Sequence, residues 1–238
     1  MRTILDILIA PRDAFARIRE TPAWVLALVI AVVVGSISVL AFLPVLKHAL
    51  ETGLPAQLAA NPAIAKLPSD EQQKQIARMI SIQMTVANFT WLFPIFVLPI
   101  VAAVQALVML VAAKIGGGDR TYKYFWSLAV HVQIAGSVGG LLADAIVLLR
   151  GTNSFDAPGQ LQTVLPNLGL FVPGGPHVLV AFLSALNVVG LWQCALLAFG
   201  MMAVGRVSRP AAWTTAILML LTLGVFAAIG AAAQPHTG

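Results

Sequence analysis

The sequence is poor in the residues that most enzyme sites and most extracellular folds use. Only 10% of its 238 residues are charged, and it has four histidines and one cysteine, Cys194. A single cysteine excludes an intrachain disulfide. The chain also lacks a GxSxG or HExxH motif, a Walker loop and any Cys/His cluster with metal-ligand spacing. We therefore expect no catalytic residues, no bound metal and no cofactor.

Charge is also missing from five long apolar runs. Each exceeds the roughly 20 residues that cross a bilayer, and Asp144 is the only Asp, Glu, Lys or Arg within them. Lipid offers the backbone no hydrogen-bond partners, and the alternation typical of a barrel strand is absent. The runs therefore predict an all-α integral membrane protein, a bundle of five transmembrane helices. The predicted spans are residues 24–46, 91–113, 125–149, 178–204 and 211–233.

The positive charge of the chain is spread along the flanks of these spans. The formal net charge is +5, which we attribute to topology and lipid contact, and we expect no nucleic-acid partner. With the N-terminus inside, nine Lys and Arg flank the cytoplasmic ends of the spans and five flank the outer ends. Because positive residues collect on the cytoplasmic side, we predict a multi-pass protein of the cell inner membrane with its N-terminus inside and its C-terminus outside.

Residues 1–22 precede the membrane domain of residues 23–234 and contain two short amphipathic pieces. Pro11 suits a first helical turn, and Asp13 and Arg17 have the spacing of a helical ion pair. Two interpretations are open: a cytoplasmic interfacial helix that also presents a partner-binding surface, or a lead-in that only positions the first span. A cleaved signal is not expected, because the first span is too long for one.

The connection of residues 47–90 is the largest predicted extramembrane segment. Pro55, Pro62 and Pro68 punctuate its first half. The run from Ser69 to Gln72 fits a capping box and predicts a helix through Gln83 that could continue into the second span. One stripe of that helix is suited to docking on the membrane surface or on the bundle. It comprises Ile76, Met79, Ile80 and Gln83.

Two further connections contain glycine and proline. Gly116 to Asp119 lacks the Lys-Ser/Thr of a phosphate-binding loop, and we interpret it as a helix C-cap followed by a turn. Residues 150–177 mix turn residues with apolar ones, which predicts a short surface or re-entrant segment lying over the bundle.

The third span has the most polar side chains, and such residues are costly in lipid. It contains His131, Gln133, Gly136, Gly140 and Asp144. The two glycines are four residues apart and predict close approach of a neighbouring helix, with Asp144 one turn further along the same stripe. We expect Asp144 to find its hydrogen-bond donor at the outer end of the first span, at Lys47 or His48.

Polar residues of the other spans suggest helix packing. Gln105 and Gln133 lie at equal depth, so a hydrogen bond between them is possible. In the fourth span Asn187, Gly190 and Cys194 form a narrow stripe suited to close packing. Gln193 is a further intramembrane polar candidate.

The sequence resembles the Yip family of five-span membrane proteins, in particular its bacterial members, over nearly all of residues 8–228. Pro11, Phe15 and Ile18 are similar to a Pro-x-x-x-Phe-x-x-Ile lead-in before the first span. A second similarity lies at the turn into the third helix, where a Gly-Gly pair is followed by Thr-Tyr-Lys. It comprises Gly117, Gly118, Thr121, Tyr122 and Lys123.

The third similarity is to an Asp/Asn-x-Phe-x-x-Trp segment followed by Gly and Ser. Here it runs from Asn187 to Trp192, with Val189 where Phe is usual, and continues through Gly200, Arg206, Ser208 and Arg209. The resemblance implies a five-helix bundle with its N-terminus inside. Eukaryotic relatives are implicated in Rab GTPase recruitment through a longer N-terminal region, and we do not expect that role of a 22-residue lead-in.

The function we expect is that of a non-enzymatic protein that organises the membrane or binds a partner. The expected partners are membrane lipid, other membrane proteins or a second copy of the chain. The alternative is a small permease or proton- or ion-coupled carrier that uses Asp144 and His131. These two residues are 13 positions apart, about 19 Å along a helix, which is far for a proton relay.

Overall fold

A computed structural model describes residues 2–151, 154–155 and 164–232, and within them the chain is a bundle of helices. Five of these helices are long and apolar enough to cross a membrane, so the predicted fold class is confirmed. The helices are α1 (Arg2–Ile9), α2 (Pro11–Glu20), α3 (Val25–Ala59), α4 (Pro62–Ala65), α5 (Ser69–Phe89), α6 (Phe93–Ile115), α7 (Tyr122–Arg150), α8 (His177–Ala185), α9 (Val188–Gly205) and α10 (Arg209–Ala232). The last residue of the fifth predicted span, Ala233, lies outside the described residues.

Helix α7 occupies the centre of the bundle. It packs against α3, α6 and α9, and it also meets the two N-terminal helices. In the most apolar stretch of α7, 44% of the residues are buried within the protein, whereas the share in the most apolar stretch of α3 is 17%. Phe125, Leu128 and Val130 of α7 are completely buried. The polar residues of the third span therefore face other helices, and most of the lipid-facing surface comes from α3, α6 and α10.

The first predicted span is part of a much longer helix. Helix α3 has 35 residues, about 52 Å at the helical rise, and continues 13 residues past Leu46. Pro55 does not interrupt it, contrary to prediction. The segment after Leu46 packs on α5, and Ala49, Leu50 and Leu58 are buried there. This packing offsets the hydrogen bond that a proline removes.

Helix α5 runs into the second span, as the sequence suggested. A 3-10 turn at Thr90–Leu92 joins it to α6. The capping-box prediction is wrong, because Pro68 is the N-cap residue and no side chain caps the helix. Gln83 is exposed, whereas Ile76, Met79 and Ile80 are half-buried. Residues 47–89, hereafter the hairpin, thus form a helical pair beyond the first predicted span, with α4 at its tip.

The fourth predicted span is broken. Helix α8 ends at Ala185, and α9 begins at Val188. The backbone of the preceding connection pairs with the break: Val188 N–H donates to the Pro166 carbonyl at 3.0 Å, and Leu168 N–H to the Leu186 carbonyl at 3.3 Å. The part of that connection from residue 164 to residue 176 therefore packs against the bundle, in keeping with the predicted surface or re-entrant segment. Residues 152–153 and 156–163 lie outside the described residues.

The N-terminal helices dock on the bundle. Ile7 of α1 and Phe15 and Ile18 of α2 are buried, and α2 packs against α7 and α9. Arg17 pairs with Asp6 of α1 and not with Asp13, so the predicted pair within α2 is wrong. The bundle covers one apolar face of these helices, but Leu5 and Ile9 of α1 remain 64% and 81% exposed. The two interpretations of residues 1–22, an interfacial or partner-binding helix and a lead-in, therefore both stay predictions.

The connection from Gly116 to Asp119 is a helix end and a turn, as predicted. Gly117 has a φ of 81°, which glycine adopts without strain. A Cβ on Gly118 would lie 2.7 Å from the carbonyl oxygen of Gly205. Ser208 N–H donates to the Gly116 carbonyl at 3.0 Å. The turns before α7 and before α10 are therefore packed against each other at one end of the bundle.

Candidate functional site within the bundle

Asp144 is bound by a serine of the first span. Ser38 Oγ of α3 donates to Asp144 Oδ2, so the predicted partners Lys47 and His48 are wrong. A second hydrogen bond joins the same two helices, from the Ser137 hydroxyl of α7 to the Ala31 carbonyl of α3. Both bonds connect residues that are 106 positions apart, so α3 and α7 run parallel. Lys47 lies nine residues beyond Ser38, about 14 Å further along α3.

The two glycines of the third span face different neighbours. A Cβ on Gly140 would lie 3.0 Å from Ser38 Oγ, so Gly140 and Asp144 share a contact with α3. A Cβ on Gly136 would lie 2.5 Å from Nε2 of Gln193 on α9. The sequence therefore placed Gly140 and Asp144 correctly on one stripe, whereas Gly136 belongs to the α9 side. Gly139, which the sequence did not single out, fits against Val189 of α9.

The remaining polar groups of α7 are satisfied separately. Gln133 Nε2 donates to Gln105 Oε1 of α6 at 3.0 Å, the pair that equal depth suggested. His131 Nδ1 lies 2.7 Å from the Ser127 carbonyl of its own helix. His131 and Asp144 are thus separated along α7 and have different partners, and the structure does not bring them together.

Three of the candidate residues of the fourth predicted span, Gly190, Gln193 and Cys194, lie on α9. Asn187 is the N-cap residue of α9, and its side chain accepts a hydrogen bond from Gly190 N–H at 2.9 Å. Asn187 therefore begins the helix and is not a member of a packing stripe. Gln193 Nε2 donates to the Val132 carbonyl of α7 at 3.4 Å. Cys194 is buried.

Helices α6, α9 and α10 enclose a groove of about 500 Å³, which sequence reasoning missed. Its wall is mostly aliphatic, and the polar side chains along it are Gln105, Gln193, Cys194, Thr215 and Thr222. Gln105 and Gln193 had been noted singly, but nothing in the sequence indicated that α6 and α9 would bring them to one cavity.

Comparison with known proteins identifies the family of the chain. The model of the Yip1 domain matches residues 5–230, from α1 into α10. The chain belongs to the Yip1 domain family. It is similar to "Membrane protein YknW" of Bacillus subtilis (strain 168), with 25% identity over 228 residues, 94% of this chain and 87% of YknW. No solved structure matches the chain.

The Yip1 match begins within α1 and ends within α10, so it includes α2, the hairpin and the other helices between them. The family resemblance predicted from the sequence is confirmed. The name of this relative places it in a membrane and does not specify an activity.

Gly140→Ile tests the close contact between α3 and α7. A branched side chain at residue 140 would displace Ser38 and separate the helices, so we expect thermal melting in mild detergent at a clearly lower temperature, equivalent to a loss of about 1–3 kcal/mol. Gly230→Ile is the matched control, because a Cβ there meets nothing within 4 Å. Equal melting of the two variants would contradict the packing.

Proposed function

We propose that this Yip1-domain protein is a non-enzymatic protein of the cell inner membrane that binds a second membrane protein through its hairpin. The observation that supports this is an apolar stripe on α5 that continues onto α6. Its side chains are 44% to 63% exposed. The stripe comprises Ile82, Val86, Phe89, Phe93 and Phe96.

The spacing of this stripe suits a helical partner. Its members alternate four and three residues apart, which is the spacing of the seam between two packed helices. The predicted span begins at residue 91, so Ile82 lies about 14 Å above it along the helix. Apolar side chains exposed to water are costly in contiguous patches, and a partner helix would cover them.

The N-terminal segment is a weaker candidate for partner binding. Ile7, Phe15 and Ile18 are already buried against the bundle, so binding through them would first require undocking α1 and α2. Without undocking, α1 offers a partner only two exposed large apolar side chains, Leu5 and Ile9, against the five of the stripe on α5. The stripe on α5 requires no such rearrangement, and its continuation onto α6 would let one partner helix follow it into the membrane.

Photocrosslinking in cells tests the partner surface. A benzophenone amino acid at residue 82 or residue 86 should give one crosslinked product of the same size. The control is residue 81 on the same helix, where the exposed Ser81 lies off the stripe. Val86→Asp should abolish the product from residue 82. Equal products from residues 81 and 82, or crosslinks to lipid alone, would contradict the proposal.

The proposed orientation puts α1, α2 and the turns before α7 and α10 in the cytoplasm. Reporter fusions after Gly118 and Arg209 should therefore report cytoplasm, and fusions within residues 164–176 or after Gly238 the opposite side. The basis is the excess of Lys and Arg at the cytoplasmic ends of the spans. A periplasm-active reporter functioning at Arg209 would overturn this orientation.

Asp144→Asn separates a structural role from the carrier hypothesis. Asn keeps an acceptor for Ser38 Oγ, so we expect unchanged melting and unchanged complementation of a deletion strain. Asp144→Leu leaves Ser38 without its partner and should cost about 1–3 kcal/mol of stability. A carrier that needs a titratable proton at residue 144 predicts the opposite result: the Asn variant folds normally but does not complement.

A further inference from the structure

The groove between α6, α9 and α10 has hydrogen-bonding groups without partners. Gln105 Oε1 accepts from Gln133, but its amide N–H groups make no hydrogen bond within the described residues. Gln193 donates to the Val132 carbonyl, but its own Oε1 accepts none from that part of the chain. Both side chains line the groove. A donor and an acceptor are therefore left open in a region where lipid offers no hydrogen bonds.

The two amides lie at one level of the bundle. Gln105 is bonded to Gln133 of α7, and Gln193 is bonded to the carbonyl of the adjacent residue, Val132. The side chain of Gln193 lies against Gly136, where a larger residue would push it away from α7. One polar group placed between the amides could therefore accept from Gln105 and donate to Gln193.

The wall of the groove excludes a charged ligand. None of its lining residues is Asp, Glu, Lys or Arg, and Gln105 lies near the middle of α6. An ionised headgroup at this depth would lose its hydration without gaining a counter-charge. The hydroxyls of Thr215 and Thr222 donate to carbonyls of their own helix, so their oxygens can only accept from a ligand. Among the polar side chains along the groove, the amide of Gln105 is therefore the one whose N–H groups are both still open to a ligand, and Cys194 is only a weak donor.

The shape of the groove suits an elongated apolar molecule. It follows α6 from Ile100 to Val108 and α10 from Thr215 to Phe226. Its volume of about 500 Å³ falls in the range of small-molecule sites, which are mostly apolar with a few placed polar groups. The aliphatic wall toward Phe226 would receive a hydrocarbon tail.

We propose that this groove binds a neutral lipid with a hydroxyl group, which accepts a hydrogen bond from Gln105 and donates one to Gln193 while its hydrocarbon chain lies along α6 and α10. A hydroxyl is the simplest neutral group that does both. Ordinary phospholipid would fill the cleft with acyl chains but would leave both amides unsatisfied.

Photolabelling of the full chain in phosphatidylcholine nanodiscs tests this site. The probe is hexadecan-1-ol with a diazirine in its chain, and the comparison probe is its methyl ether, which accepts but cannot donate a hydrogen bond. We expect the alcohol to label peptides of α6, α9 and α10 about fivefold more than the ether does. Gln193→Leu should reduce alcohol labelling to the level of the ether.

A second pair of variants tests the location without touching the amides. Val104 and Leu107 are 56% and 55% exposed on α6, but only Val104 lines the groove. Val104→Phe should block labelling by the alcohol, and Leu107→Phe should leave it unchanged. Equal labelling by alcohol and ether, or insensitivity to Val104→Phe, would overturn the proposal. Crosslinks between two copies of the chain at the groove would also overturn the proposal, because a second protomer would then cover the site.

Discussion

In lipid a polar side chain has no water to bind, so its hydrogen-bond partner must come from the protein. The polar residues of α7 meet this requirement through the helices packed around it. Asp144 is bonded to α3, Gln133 to α6, and the Val132 carbonyl to Gln193 of α9. Each of α3, α6 and α9 is thus joined to α7 by at least one polar contact as well as by packing. Such contacts average about 0.6 kcal/mol each, so they specify register more than they supply stability.

Small residues make these contacts possible. Gly140 lets Ser38 approach the α7 backbone, Gly139 accommodates Val189, and Gly136 accommodates the side chain of Gln193. Close approach at a glycine also occurs outside the spans. There Gly118 contacts the Gly205 carbonyl, which allows the turns before α7 and α10 to pack together. Close approach at glycine therefore determines the arrangement both inside the membrane and at one end of the bundle.

The two surfaces proposed for binding differ in what they lack. The stripe on α5 is apolar where the chain has left the predicted membrane span, and it lacks a covering helix. The groove is apolar within the membrane, where an apolar wall is expected, but its two amides lack hydrogen-bond partners within the described residues. The exposed apolar side chains of the hairpin would be covered by a partner protein. The open amides of the groove would be satisfied by a neutral lipid.

The class of the fold follows from the sequence alone, because the backbone of five long apolar runs, with Asp144 their only charged residue, can be satisfied in a bilayer only as helices. Equal depth on neighbouring spans also indicated that a Gln105–Gln133 hydrogen bond was possible, and the structure contains it. The sequence did not determine the partner of Asp144, because that depends on the parallel offset of α3 and α7. Nor did it predict the break at Asn187, where pairing with residues 166–168 competes with a continuous helix. Only tertiary packing decided these, together with the groove, because each depends on residues far apart in the chain.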